Sequence, residues 1–180
     1  MTKWFEVKSH YAITDFKEHD KLRERLLESI DAMPYQTRDN ITKSDWYVPS
    51  NEPRPYLDIF YDAFIPYMDK MMEDMMCTRW VIQNGWFQQY EDSGSHYWHI
   101  HPKCMFSNVY FLELPEPQVS TEFLNPITKE SFQLENIREG QVITFPSTFI
   151  HRSPPNTSGK RKTVIVFNSD IEEVIPGLGL

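Results

Sequence analysis

The chain has 180 residues, enough for one domain with a full hydrophobic core and too few for two. Its formal net charge of −8 argues against a binder of duplex nucleic acid, whose affinity rests largely on neutralising phosphates. No run of roughly 18 or more apolar residues occurs, so a membrane-spanning helix is not expected. Met1–Glu6 carries no apolar leader, and the expected location is the cytoplasm.

The first third reads as helical. Asp15-Phe16-Lys17-Glu18 has the form of a capping box, and Leu22, Leu26, Leu27, Ile30 and Met33 follow at helical spacing until Pro34 stops the run. Residues 34–55 are rich in Pro, Asn, Asp and Ser and read as a long irregular segment, a candidate lid that turns Trp46 and Tyr47 toward a site. After Pro55 a second helical stripe runs through Leu57, Phe60, Phe64, Met68 and Met72, with Pro66 expected to kink or split it. Such a stripe suits a helix packed on the back of a sheet. Cys77 and Cys104 read as reduced thiols that pack as small hydrophobes.

From Thr78 onward the texture changes to short β-type runs at 79–90, 107–114, 119–124, 141–145 and 163–168. The expected fold is therefore mostly β, a double-stranded β-helix of jelly-roll or cupin-like form, with the N-terminal helices outside one sheet. It is expected as a single domain over 1–180, with 1–77 as a helical support and 78–170 as the β core.

Six histidines occur, and two units among them carry chemistry. His99-Ile100-His101 places two imidazoles on one face of a strand, able to converge on one point. Gly140–His151 reads as turn, buried strand, proline turn and histidine, which resembles the second cupin signature, with Thr148 where that pattern has glycine. His151 lies fifty positions beyond His101, room for the intervening strands. His99, His101 and His151 are thus the expected metal ligands, and three neutral imidazoles leave positions open on an oxygen-activating iron. His96 reads as a loop residue, and His10 and His19 carry no pattern.

Ten positions past His151, Arg161 and Thr163 fall on one face of a strand. A guanidinium fork beside a hydroxyl makes a good carboxylate receptor. Tyr110 and Gln88 are secondary candidates for the same ligand, and Trp86, Tyr90, Tyr97 and Trp98 are candidates for a substrate mouth.

His99-Ile100-His101-Pro102 followed by Ser107-Asn108-Val109-Tyr110-Phe111-Leu112 resembles the "HxHP…SGVYYL" segment of a family of 2-oxoglutarate/Fe(II)-dependent oxygenases found in bacteria and their phages. Gly140–His151 and Gly159–Asn168 resemble two further segments of it, and the likeness covers roughly residues 79–170, with a looser match at Ser44-Asp45-Trp46. The resemblance implies a double-stranded β-helix, Fe(II), 2-oxoglutarate and O2. It implies His99, His101 and His151 as ligands, Arg161 and Thr163 as the co-substrate receptor, and host cytoplasm as the location if the gene is a phage's. His101 stands where most such oxygenases have aspartate, so the site brings no ligand charge.

The substrate expected is a small molecule or a protein side chain, not duplex nucleic acid. Two alternatives differ in class. One is a three-histidine cupin enzyme without 2-oxoglutarate, such as a thiol dioxygenase or an isomerase. The other is a cupin-like binding or structural protein without catalysis.

Overall fold

Short β-branched and aromatic runs pair into two antiparallel sheets in the computed structural model, which describes residues 3 and 8–175. The chain opens with β1 (Ala12–Asp15), α1 (His19–Asp31), the hairpin β2 (Gln36–Arg38) to β3 (Ile41–Ser44), and α2 (Pro55–Asp74). It continues through β4 (Cys77–Tyr90), β5 (His96–His99), β6 (Phe106–Glu113), β7 (Glu122–Leu124) and β8 (Ser131–Gln133). The last strands are β9 (Gln141–Pro146), β10 (Ile150–Ser153) and β11 (Lys162–Val174). One sheet has seven strands in the order β1-β9-β6-β11-β4-β3-β2, and the other has four in the order β5-β10-β7-β8. This is the double-stranded β-helix, mostly β with two helices, that the strand pattern predicts.

The large sheet is buried on both faces, and its pleat sorts residues by parity. On one face Phe87, Tyr110, Leu112, Ile165 and Phe167 meet the helices through Leu26, Phe60, Phe64 and Met68. On the other, Trp86, Val109, Phe111, Val164 and Val166 face the small sheet's Phe123. Phe60 lies at the centre of the first cluster, stacked on Tyr110 at 4.8 Å and on Phe64 at 5.0 Å.

Several expectations are corrected. The first third is not purely helical, because β1 pairs with β9 and β3 with β4. Segment 34–55 holds a hairpin and is pinned rather than free. Asp45 is fully buried, and its carboxylate accepts bonds from Tyr56 Oη (2.6 Å), Arg54 Nε (2.8 Å) and the Phe87 N–H (2.8 Å). The capping box does not form. Asp15 sits in edge strand β1 and accepts from Arg138 and Gln141, while Glu18 occupies the cap without a side-chain capping bond, its carboxylate accepting from Tyr67 Oη instead. Helix α2 runs unbroken through Pro66. A mid-helix proline costs about 3 kcal/mol, and burial of Phe64, Met68 and Met72, at roughly 1.5–3 kcal/mol each, outweighs it.

Gly140 sets the start of β9. Its φ is +83°, its N–H donates to Phe111 O, and its carbonyl accepts the Phe16 N–H. A Cβ there would lie 3.0 Å from the His19 ring. Gly140→Ala is therefore expected to destabilise the protein by about 1–2 kcal/mol through the left-handed backbone alone, and more if His19 cannot shift. Chemical denaturation measures this, and an unchanged midpoint would show that the turn relaxes.

Candidate metal centre and its cavity

Strands β5 and β10 are neighbours in the small sheet, with His151 directly opposite His99. His101 lies two residues beyond β5, its N–H donating to Ser147 O. The three rings are close, with centroids 4.3 Å apart for His99–His151, 5.1 Å for His101–His151 and 5.2 Å for His99–His101. One nitrogen from each falls within 4.8 Å of the others, a spacing one metal ion can bridge.

Each ring is held by its other nitrogen. His99 Nδ1 meets Tyr97 O at 2.7 Å, His151 Nδ1 meets Phe149 O at 2.8 Å, and His101 Nδ1 meets Asn168 Oδ1 at 2.7 Å. Carbonyl oxygens only accept, so Nδ1 carries the proton and the Nε2 lone pairs are free. Burial, and then the neighbouring imidazoles, push His151 down to about 3, and burial pushes His101 down to about 4 despite the Asn168 bond. Burial lowers His99 as well. All three therefore stay neutral with their lone pairs available at ordinary pH.

Sequence reasoning missed two other residues here. His96 is on strand β5, not in a loop, with its ring 4.1 Å from that of His99 and its pKa pushed down by burial to about 3. Lys162 points into the same cavity, 1% exposed, with Nζ donating to Ser153 Oγ (2.8 Å) and Val119 O and lying 5.1 Å from the Tyr90 ring centroid. It has no carboxylate partner among the described residues, and burial lowers its pKa to about 7.

The expected co-substrate receptor is corrected by strand parity. Arg161 lies on the helix side and grips Glu113 with Nε (2.7 Å) and Nη2 (3.2 Å), with Nη1 3.1 Å from Asp31. Thr163 donates to the same Glu113 carboxylate. Tyr110 is wholly buried under α2, its hydroxyl 2.7 Å from His19 Nδ1. A one-residue error in phase moves a side chain to the opposite face. Lys162, Val164 and Val166 share the cavity face, and counting back from the two valines would have found the lysine.

Gln88 does line the cavity, its Oε1 taken by Tyr90 Oη at 2.7 Å. Trp86 and Tyr90 are interior walls. Tyr97 is 62% exposed, and Trp98 lies under Arg152. Neither of the last two reaches the cavity. No Asp or Glu lines the inner chamber among the described residues. Outside it opens a groove of about 400 Å³, bounded by Arg38, Ile41, Trp46, Tyr47, Asn84 and Pro102. Trp86 stands between chamber and groove, its buried Nε1 a donor without a partner among the described residues. Cys104 lines the groove rather than the core.

No protein-family model matches the chain, and no curated protein does. Solved structures do. A collagen prolyl hydroxylase of Paramecium Bursaria Chlorella virus-1, solved with 2-oxoglutarate, matches with a TM-score of 0.61 at 13% identity, over 89% of this chain and 96% of its own. A Pseudomonas putida prolyl-4-hydroxylase matches at 0.61 and 15%, over 91% and 93%. HygX of Streptomyces hygroscopicus, solved with nickel and 2-oxoglutarate, matches at 0.64 and 9%, over 90% and 83%. The chain shares their fold. Identities this low carry no further property across, so the chemistry has to be argued from its own residues.

The depressed histidines give a pH dependence of fixed sign. In the unfolded chain each titrates near 6.5, and in the folded chain lower. Between those values the unfolded state binds more protons, so stability of the metal-free protein falls as pH drops below about 6.5. Denaturation in chelator at pH 7 and pH 5 should show the loss, at most about 1.4 kcal/mol per unit for each histidine that responds. His151→Gln should lessen it, since three of the four depressed histidines remain. A wild-type midpoint unchanged over this range would contradict the neutral assignment.

Proposed function

We propose that this protein is an Fe(II)- and 2-oxoglutarate-dependent oxygenase, a hydroxylase of a small molecule or a protein side chain acting in the cytoplasm. The observation that carries this reading is a buried lysine without a counter-ion among the described residues, in the same chamber as three imidazoles whose free nitrogens converge. His99, His101 and His151 would hold the iron, since three neutral imidazoles suit a divalent first-row metal. When bound, iron and 2-oxoglutarate supply an oxidant made from O2, with succinate and CO2 as by-products.

Lys162 would receive the distal carboxylate of 2-oxoglutarate. An amine held away from water without a counter-ion is costly, and a carboxylate beside it offsets that cost and forms a charge-assisted bond. Gln88, with its carbonyl committed to Tyr90, presents its amide N–H2 as a further donor. Val109, Val164 and Val166 keep water from the chamber walls. The outer groove, walled by Trp46, Tyr47 and Trp86, would take the substrate. Proteins sharing the fold were solved with hygromycin B and with a peptide fragment, so the architecture accommodates both classes of substrate proposed.

A second reading, a three-histidine metalloenzyme that does not use 2-oxoglutarate, is favoured by one observation, the absence of a carboxylate from the ligand cluster among the described residues. Lys162 argues for the first reading. Protein reconstituted with Fe(II) is expected to form succinate from 2-oxoglutarate and O2. Lys162→Met should keep its metal, lose about 10–100-fold in 2-oxoglutarate affinity and gain about 1–2 kcal/mol of metal-free stability. Arg161→Ala should bind normally. Since Lys162 must be protonated to bind an anion, calorimetry on Mn(II)-loaded protein should give a flat affinity below pH about 7. It should weaken by up to about tenfold per unit above that. Metal binding without 2-oxoglutarate binding or succinate would favour the second reading.

A further inference from the structure

Two of the three triad rings are oriented by backbone carbonyls two residues back, which no substitution removes. His101 alone depends on side chains. Its Nδ1 lies 2.7 Å from Asn168 Oδ1 and 2.8 Å from Ser107 Oγ. Asn168 of β11 stands directly opposite Ser107 of β6 on one side and Asn84 of β4 on the other, so the three form a polar rung across the sheet. The flanking residues on that face, Val166 and Val109, are apolar core. A break in pairing register falls immediately beyond the rung, between Asn168 and Ser169, the kind of bulge that re-aims side chains beside functional sites.

An amide has two unlike ends, and here both are engaged. Asn168 Nδ2 donates to Asn84 Oδ1 at 2.9 Å, which turns Oδ1 toward His101. An acceptor at 2.7 Å requires Nδ1 to carry the proton, and Ser107 Oγ then serves as the second acceptor for that hydrogen. Were the amide reversed, its N–H2 would face Nδ1. The ring would move its proton to Nε2 and lose the free lone pair.

We propose that Asn168 is a positioning residue that sets the tautomer of His101. It makes Nε2 the donor nitrogen, while Asn84 fixes the amide from the groove side. The inference rests on reading the triad as a metal site, and the controls separate the two. In the metal-free protein at neutral pH, ¹⁵N-resolved NMR of the imidazoles should report His101 as the Nδ1–H form. Asn168→Leu should shift it toward Nε2–H and weaken Co(II) binding by about 10–100-fold, with a changed Co(II) visible spectrum. Asn168→Asp retains an acceptor and should restore both the tautomer and the affinity, even if Asn168→Leu folds poorly. Asn84→Ala, which frees the amide to turn, should fall between wild type and Asn168→Leu. If Asn168→Leu and Asn168→Asp both keep the wild-type tautomer and Co(II) affinity while His99→Ala loses Co(II), the proposal is overturned. If His99→Ala and His151→Ala bind Co(II) as wild type does, the triad reading fails, while the tautomer measurement still tests Asn168.

Discussion

Strand β11 runs through the middle of the seven-stranded sheet, paired with β4 along one edge and β6 along the other, and its pleat divides the molecule. Lys162, Val164, Val166 and Asn168 face the chamber side, whereas Thr163, Ile165 and Phe167 face the helices. Both faces are apolar over residues 164–167, so hydrophobicity alone does not fix the phase of this strand. Polar residues flanking that stretch do. Arg161 and Thr163 close on Glu113, and Asn168 closes on Asn84 and His101. A shift by one residue would turn Arg161 and Thr163 into the chamber and carry Lys162 with Val164 and Val166 onto the helices, which explains why the site depends on a pairing made some distance from it.

That same alternation marks where sequence reasoning stops. The change from helical to strand periodicity near residue 78 is plain, because long aromatic and β-branched runs leave one interpretation. The clustering of His99, His101 and His151 was legible too, since H-x-H and the Gly140–His151 pattern each limit where a histidine can fall. Lys160-Arg161-Lys162 offers no such alternation. Three cations in a row give no phase, and the choice of Arg161 rested on its chemistry as a receptor. The short strands β1, β2 and β3, of three or four residues and largely polar, pair only because longer strands supply an edge. His96 was hidden for a similar reason, standing on a four-residue strand amid loop-type sequence.

The electrostatics of the chamber run against those of the whole chain. A protein with net charge −8 encloses four neutral imidazoles and one lysine with no acidic side chain lining the chamber among the described residues. Arg161 and Arg23 are meanwhile neutralised on the other side of the sheet by Glu113, Asp31 and Glu139. The carboxylates thus fasten α1 to the sheet, and the chamber keeps its cationic character. A dianionic co-substrate on a divalent metal would complete the missing charge. With no carboxylate among the three proposed ligands, the orientation of each imidazole would count for more, and the polar rung of Ser107, Asn168 and Asn84 with it.

The most direct measurement of this account is a crystal structure of the protein with Mn(II), which does not turn over, and 2-oxoglutarate. The account predicts one metal ion on the Nε2 atoms of His99, His101 and His151, and the distal carboxylate of the ligand on Lys162 Nζ. A carboxylate bound to Arg161 on the helix side, or a metal held by any other set of side chains, would contradict it.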